Sequence, residues 1–324
     1  PDGKRIASVG DFVKVWPGDV TDPIKAFAGA VSRDDRQPGR DRLAISPNGD
    51  LLAGMQSRKR VAILDVRAGR VRATMDVGAT VHALVFSPES DHLAVGHSGG
   101  LQIWNVQTSE LVRERPTDSA IWTIDFSPNG RLLAVGTEAR QVEICEADTL
   151  AKQMTLPSEY HTPLRKVAFS PDGQTLGVTT IGEPWHHRFE MQIWDVEGWR
   201  LRVARARHAY ATDHAFSLDG KTLALSYGNS EPGIATSPQG DTELLDVATG
   251  QLLAKLEGEG DDQLHTAVAF SSDGKTLATA NEKGEVTIWD LNSHEERLTF
   301  GWKSIESSVR PPSIGSLAFL PDGA

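Results

Sequence analysis

The sequence predicts an all-β protein: a seven-bladed β-propeller of four-stranded antiparallel blades, with the ring closed by the C-terminal strand joining the N-terminal blade. A repeat of about forty residues runs through the whole chain, and each copy contains short apolar runs separated by turn residues. The two ends of the chain carry complementary parts of one further repeat, which predicts the closure.

The repeat is marked by a strand followed by a turn sequence. Apolar residues two apart, such as Val167 and Phe169, predict a strand. The Ser-Pro-Asp-Gly that follows is typical of a type I turn, because proline suits its second position and glycine its fourth. The copies read LAISPNG, LVFSPES, IDFSPNG, VAFSPDG, HAFSLDG, VAFSSDG and LAFLPDG, beginning at residues 43, 84, 124, 167, 214, 268 and 317.

Three more strands are predicted in each repeat. The second is aliphatic, as in HLAVG and TLATA, and the third ends in an aromatic or aliphatic residue followed by an acid or amide, as in LQIWN and VTIWD. A polar fourth strand leads into the next repeat. Strand-rich repeats with a period of about 40 to 45 residues favour a propeller over a sandwich or barrel.

The ends of the third strands carry a family resemblance. Trp104-Asn105, Trp194-Asp195 and Trp289-Asp290 resemble the Trp-Asp ending of WD-repeat (WD40) propellers, and the tidy FSPDGK-type repeats resemble the bacterial members. The resemblance covers the whole chain and implies the propeller fold, although this fold hosts many unrelated activities. The family's Gly-His dipeptide is missing, so its Trp/Ser/His/Asp hydrogen-bond tetrad is not expected in most blades.

The two ends of the chain are expected to share one blade. The last inner strand, Leu317 to Phe319, has no blade of its own, and the first blade, from Ile6 to about Phe27, has no inner strand before it. Pairing Ser316–Leu320 beside Ile6–Val9 removes two exposed sheet edges. Residues 1–324 are thus predicted to form a single domain, with blade one made of about 4–30 plus 316–320.

The fourth strands are expected at the outer edges, where charge guards against strand addition. Arg200, Arg202, Arg205 and Arg207 are interpreted as such a solvated edge, with a binding stripe as the alternative.

Composition excludes several classes of function. A net charge of −11 opposes the phosphate neutralisation on which nucleic-acid binding depends. Cys145 is the only cysteine, so no internal disulfide is expected, and no apolar run is long enough to span a bilayer. A cytoplasmic location is expected. Because the sequence begins at Pro1 without methionine and stops within a motif, it is interpreted as a segment of a longer protein fused to other domains.

Motifs of catalysis are missing from the sequence. It contains no GxSxG, HExxH, P-loop or haem-attachment motif, so no catalytic residue, metal or cofactor is predicted. An enzyme or cofactor- or metal-binding propeller with an axial site stays the alternative. A pocket on the axis that gathers several ionisable groups would favour it.

Loop length predicts where partners bind. In a propeller the connections from second to third strands, and from one blade to the next, emerge on one face, here called the top face. Blade five inserts residues 182–190 there, and blade six inserts residues 228–240. Long loops on a rigid scaffold commonly carry recognition. The first insert supplies the predicted partner-binding residues Trp185, His186, Arg188 and Phe189.

Two alternatives apply to this first insert. Trp185 and Phe189 would instead pack the loop against its own blade. His186, His187, Glu183 and Glu190 are metal-ligand types, but neighbouring loop positions rarely converge on one ion, and no metal site is predicted.

A basic group on the same face completes the predicted site. It comprises Arg36, Arg40, Arg58 and Arg60, which would steer an acidic partner, with solvated loops as the alternative. The sequence therefore predicts a non-catalytic scaffold or sensor module that binds a protein or peptide, in a signalling or regulatory setting. A purely structural spacer is a third reading, and it would lack exposed anchor residues.

Overall fold

In a computed structural model, the chain is described at residues 5–9, 13–17, 25–27, 43–157, 162–181, 189–207, 210–228, 241–257, 265–281, 283–301 and 314–319. Side chains are described from residue 43 onward, apart from residues 189, 190, 207, 210 and 228. Every regular element in these ranges is a β-strand. No helix in this part of the chain is long and apolar enough to cross a membrane.

The strands follow the repeat of the sequence. In chain order they are β1 (Arg5–Val9), β2 (Val13–Pro17), β3 (Lys25–Phe27), β4 (Leu43–Ile45), β5 (Leu51–Ser57), β6 (Arg60–Asp65), β7 (Arg70–Asp76), β8 (Val81–Phe86), β9 (His92–His97), β10 (Gly100–Asn105), β11 (Leu111–Pro116), β12 (Ile121–Phe126), β13 (Leu132–Thr137), β14 (Val142–Glu146), β15 (Lys152–Thr155), β16 (Leu164–Phe169), β17 (Thr175–Thr180), β18 (Phe189–Asp195), β19 (Arg200–Arg207), β20 (Tyr210–Phe216), β21 (Thr222–Gly228), β22 (Thr242–Asp246), β23 (Leu252–Leu256), β24 (His265–Phe270), β25 (Thr276–Asn281), β26 (Glu285–Asp290), β27 (Glu296–Gly301) and β28 (Ser316–Phe319).

The predicted number of blades requires a correction. Six blades, not seven, consist of four consecutive antiparallel strands, and β4 to β27 form them in order. They keep the numbers two to seven of their repeats. The remaining sheet has the order β28-β1-β2-β3. This sheet combines strands from both ends of the chain, all antiparallel, and is called the closing sheet. For β1, β2 and β3 only the backbone pairing is described.

The closing sheet joins the two ends of the chain. Strand β28 pairs antiparallel with β1, with Ile6 opposite Phe319 and Val9 opposite Ser316. This is the strand pairing that the sequence predicts. On its other side, β28 contacts β24 and β25 of blade seven, and Leu317 and Ile314 are buried in that blade's apolar cluster.

The turns between first and second strands are closed by a repeated set of hydrogen bonds. In blade five the Gly173 N–H donates to the Ser170 carbonyl at 2.8 Å, and the Ser170 hydroxyl donates to Asp172 Oδ1. Gly173 has a φ of 69°, a left-handed conformation that glycine adopts without steric cost. In SPDG the Asp or Asn therefore stabilises the turn by accepting a hydrogen bond, and the Gly does so by adopting the left-handed conformation.

The hydrophobic core lies between neighbouring blades. Ile63 of blade two and Val95 of blade three belong to one cluster and are fully buried. Val178 of blade five shares a cluster in the same way with Ile144 of blade four. Each blade therefore depends on its neighbours to bury its apolar faces, as expected for a repeat fold.

The outer strands carry a β-bulge in all six blades. In blade three Ile103 pairs with Arg113, but Trp104 pairs with Leu111, so Val112 is the extra residue. The corresponding irregularity recurs in the other five blades. Bulges twist an edge strand and interrupt its hydrogen-bonding pattern, which protects it from pairing with another chain.

Candidate functional site

The predicted anchors fall mainly outside the described residues. Trp185, His186 and Arg188 lie in the undescribed connection between β17 and β18, as Arg36 and Arg40 lie in the one between β3 and β4. Phe189 begins β18 and pairs with Arg207, but its side chain is not described. The structure therefore neither brings these side chains together nor separates them, and their role stays a prediction.

The described part of the predicted site is the turn between β5 and β6. Arg58, Lys59 and Arg60 are all exposed there. The Lys59 carbonyl accepts the N–H of Val77, and the Arg58 carbonyl accepts the N–H of Val81, the first residue of β8, both at 2.8 Å. Arg60 Nε lies 3.6 Å from Asp76 Oδ2, and both side chains are more than half exposed. Such a solvated pair contributes little to stability, so the turn is held mainly by its backbone.

A cavity of about 560 Å³ lies where the inner strands converge. Its walls come from β4, β8, β12, β16, β20 and β28. Four turn prolines, Pro47, Pro88, Pro128 and Pro171, also line it. Three of the four are exposed, so the cavity reaches the surface on the face opposite the top face, here called the bottom face. This volume is within the usual range of ligand sites, about 300 to 1,000 Å³.

Ionisable groups in the cavity wall bond to protein atoms. Asp125 Oδ2 accepts the Phe169 N–H at 2.7 Å, which links blade four to blade five. Lys166 Nζ lies 2.7 Å from Asp213 Oδ1, and Asp213 Oδ2 accepts the Val268 N–H of blade seven. Inner strands expose backbone groups toward the axis, and these side chains satisfy some of them. These contacts between blades could not be predicted from the repeat pattern.

His214 also lines the cavity, but its ring is fully buried. Its Nδ1 lies 3.0 Å from the Thr179 hydroxyl, and burial together with Lys166 lowers its pKa to about 3. A general base acts best when its pKa is near the working pH. An imidazole with this pKa and no exposed surface is therefore poorly suited to proton transfer.

His265 is the centre of a polar chain in the upper part of blades six and seven. The Trp289 indole N–H donates to Thr279 Oγ1 at 2.9 Å, and Thr279 Oγ1 lies 3.5 Å from His265 Nε2. His265 Nδ1 lies 3.0 Å from Thr242 Oγ1. Burial lowers the pKa of His265 to about 4. The sequence pattern did not indicate this histidine. Its ring packs edge-to-face against Trp289, the tryptophan of the Trp-Asp motif two strands away.

Acid should destabilise the fold through these two histidines. Their folded pKa values of about 3 and about 4 lie below the ordinary 6.5, so the unfolded chain binds more protons below pH 6.5. Each should remove up to about 1.4 kcal/mol of unfolding free energy per pH unit as the pH falls toward its folded pKa. Urea denaturation at a series of pH values measures this, and His214→Gln should flatten the slope. An unchanged slope in that variant would contradict the assignment.

A second set of charges connects blades on the outside. Arg205 of β19 donates to the Gly250 carbonyl at 3.0 Å and lies 3.8 Å from Glu243 of β22, which is completely buried. Arg115 of β11 contacts Glu143 of β14 at 2.8 Å in the same way. Arg205 was predicted to be a solvated edge residue, and this was wrong. The bulge sets Arg205 on the side facing the next blade, whereas Arg200 and Arg202 are exposed.

Groups with nucleophilic or metal-binding chemistry are sparse in the described residues. Burial raises the pKa of the Cys145 thiol to about 11, which keeps it protonated and unreactive at neutral pH. Within the same residues, no three His, Cys, Asp or Glu side chains are close enough together to hold a metal ion.

Comparison with known proteins agrees with the repeat geometry. The family profile "WD domain, G-beta repeat" (WD40) matches residues 109–144, which end within the third strand of blade four, and residues 250–290, which contain the third strand of blade seven. The match confirms the resemblance to the WD40-repeat family. The second matched range ends in Trp289-Asp290, a Trp-Asp ending typical of WD40 repeats.

Three curated relatives share parts of this WD40 chain. WD repeat-containing protein SL1-17 of Schistosoma mansoni is 29% identical over 49% of the chain and 51% of its own length. The U3 small nucleolar RNA-associated protein 18 homolog of Mus musculus is 27% identical over 56% and 31%. Eukaryotic translation initiation factor 3 subunit I of Phaeosphaeria nodorum is 30% identical over 65% and 47%. The chain therefore spans about a third to a half of each relative.

A solved structure shares the fold. Hydrazine synthase of Kuenenia stuttgartiensis superimposes with a TM-score of 0.69, covering 81% of this chain and 80% of that one, at 20% sequence identity. At this identity the likeness concerns the propeller architecture alone.

Proposed function

We propose that this WD40 propeller is a non-catalytic scaffold that binds a protein or peptide partner through its top-face loops. The observation that carries the proposal is the contrast between regular blades and unequal top connections. Strands β17 and β18 pair in register, as do β21 and β22, yet residues 182–188 and 229–240 separate them. In blades two, three and four the same connections are short. Extra length at one place on a rigid scaffold favours recognition.

The names of the relatives agree with a role in assembly. One relative is named as a subunit of an initiation factor and another as an RNA-associated protein. For this chain we favour a protein partner over RNA, because its net charge of −11 opposes phosphate binding. The enzyme alternative is less well supported, since the described axial groups bond to protein atoms and His214 has a pKa of about 3.

Photo-crosslinking from position 185 tests the proposal and identifies the partner. We expect a discrete protein adduct from this position, and none from the same group placed at Gln107, which is exposed on the bottom face. Trp185→Ala should then weaken binding by about 2 kcal/mol or more while the melting temperature stays the same. A lower melting temperature with unchanged affinity would show that Trp185 packs its own loop and would contradict its role as an anchor. An RNA adduct would contradict the choice of partner.

The basic turn should influence how fast an acidic partner associates. Arg58→Glu with Arg60→Glu reverses two exposed charges, so we expect slower association and little change in the dissociation rate. Wild-type affinity should fall as salt rises, because exposed charges are screened over about 8 to 10 Å. Stopped-flow kinetics at two salt concentrations measure both. An association rate that changes with neither salt nor charge reversal would show that this turn is not part of the binding site.

A further inference from the structure

We propose a second binding site on the bottom face, where the mouth of the axial cavity takes an apolar side chain of a basic peptide. The site goes beyond the proposed function, since it lies on the opposite face and uses other residues. Its elements are an apolar mouth, a cavity of about 560 Å³ and a rim with an excess of carboxylates.

The mouth of the cavity is apolar and rigid. Pro47, Pro88, Pro128 and Pro171 occupy the second position of neighbouring turns, and Leu218, 57% exposed, occupies it in blade six. The walls behind them include Ala44, Val85, Ala168 and Ala215. Because proline fixes its own φ, such a ring loses little conformational entropy when it contacts a ligand.

The turns are also fixed relative to one another. The Asn48 N–H donates to the Ser90 hydroxyl of the next blade at 3.3 Å. A Cβ placed on Gly220 would lie 2.8 Å from the Asp172 carboxylate of the preceding blade. Gly130 and Gly173 face Glu89 and Pro128 of their preceding blades in the same way, so contacts of this kind run from blade two to blade six. This part of the mouth is therefore preformed, which is the usual condition of a ligand site.

The charge of the rim selects the partner. The six turns of blades two to seven carry six carboxylates and three basic side chains, namely Asp50, Glu89, Asp91, Asp172, Asp219 and Asp273 against Arg131, Lys221 and Lys275. Asp50 is paired with Arg67 at 3.2 Å, and Asp91 lies 2.9 Å from the His92 ring. The five carboxylates other than Asp50 are exposed. Hydrogen bonds from Ser217 and Ser271 lower the pKa of Asp219 and Asp273, so both stay ionised at neutral pH. A rim of this sign favours lysine and arginine around the apolar side chain.

The chain itself offers matched variants for the rim. Asn48 and Asn129 occupy the aspartate position in two turns and make the same hydrogen bonds, from Ser46 at 2.6 Å and from Ser127 at 2.8 Å. Replacing Asp172, Asp219 and Asp273 with asparagine therefore keeps each turn and removes three charges. For the cavity, Val85 stands where Ala168 and Ala215 stand in their blades, so a β-branched residue suits the strand.

Fluorescence anisotropy with synthetic peptides tests the site. The probe is a labelled short peptide with one leucine flanked by lysine and arginine, compared with peptides carrying serine for leucine or glutamate for the basic residues. We expect saturable binding, a loss of about tenfold to a hundredfold with serine, and no binding of the acidic peptide. The three Asp→Asn changes should weaken binding by at least about threefold.

Filling the cavity should remove the preference for leucine. Ala168→Ile with Ala215→Ile should bring the leucine and serine peptides to the same affinity, while Ala204→Ile on the exposed fourth strand of blade five should change nothing. Shortening both top-face inserts should leave peptide binding intact, so failure of the top-face proposal would not affect this result. Absence of saturable binding, equal binding of the acidic peptide, or a leucine preference that survives both isoleucines would overturn the proposal.

Discussion

Replacing Glu243 with alanine is expected to reduce the free energy of unfolding by about 3 kcal/mol. The carboxylate is completely buried, accepts the Tyr227 hydroxyl at 2.8 Å and faces Arg205 from blade five. Its loss takes an acceptor from a buried phenol hydroxyl and the ion-pair partner from a largely buried guanidinium, which keeps its bond to the Gly250 carbonyl. Removing one partner of a buried pair is costly. Urea denaturation followed by circular dichroism measures the change.

Two variants control for this result. Arg202→Gln removes a more exposed arginine of the same strand, which contacts Asp195, and should cost less than about 1 kcal/mol. Arg205→Met combined with Glu243→Leu should recover part of the loss, because it removes both charges together. If Glu243→Ala unfolds at the same urea concentration as wild type, the contact between blades five and six does not stabilise the ring.

Removing residues 314–324 is expected to cause aggregation or a sharply lower melting temperature. The deletion takes away β28, which pairs with β1 and places Ile314 and Leu317 in the core of blade seven. It also removes the Ile314 carbonyl, which accepts the Thr266 hydroxyl. An unpaired inner edge and an uncovered apolar cluster both promote association between chains. Light scattering and differential scanning fluorimetry report the two effects.

Point variants keep this test informative if the deletion cannot be purified. Leu317→Ala should cost about 2 to 5 kcal/mol, since the side chain is buried in the cluster with Ile288 and Phe300. Ser316→Ala, one residue away and only half-buried, should cost far less. A soluble, monomeric deletion variant with an unchanged melting temperature would show that β28 does not contribute to stability.

Local patterns in the sequence were sufficient for the strands and turns. The Ser-Pro-Asp-Gly copies fixed the first turns, and the structure shows why, since Ser170, Asp172 and Gly173 each satisfy a separate backbone requirement. The number of complete blades was overcounted. A count of repeats treats the two chain ends as one uninterrupted repeat. The closing sheet is instead built from segments more than 300 residues apart.

Contacts between blades could not be predicted from local sequence patterns. Arg205 and Glu243 lie on different blades, and so do Lys166 and Asp213, which are 47 residues apart. Periodicity assigns a residue to a strand and a face, but it does not say which side chain of the next repeat lies opposite. The bulge in the fourth strand changes the face as well, which is why Arg205 was misassigned. The predicted anchors on the top face depend on loop conformation, for which the sequence has no repeating pattern.

The affinity of the partner identified by crosslinking at position 185, measured by isothermal titration calorimetry, tests the central claim most directly. The comparison is between wild type and a variant in which residues 182–188 and 229–240 are replaced by tight turns like those of blades two to four. Circular dichroism and an unchanged melting temperature establish that the variant is folded. We predict at least about a 30-fold loss of affinity, which corresponds to about 2 kcal/mol. Full affinity in the folded variant would contradict binding through the top-face loops.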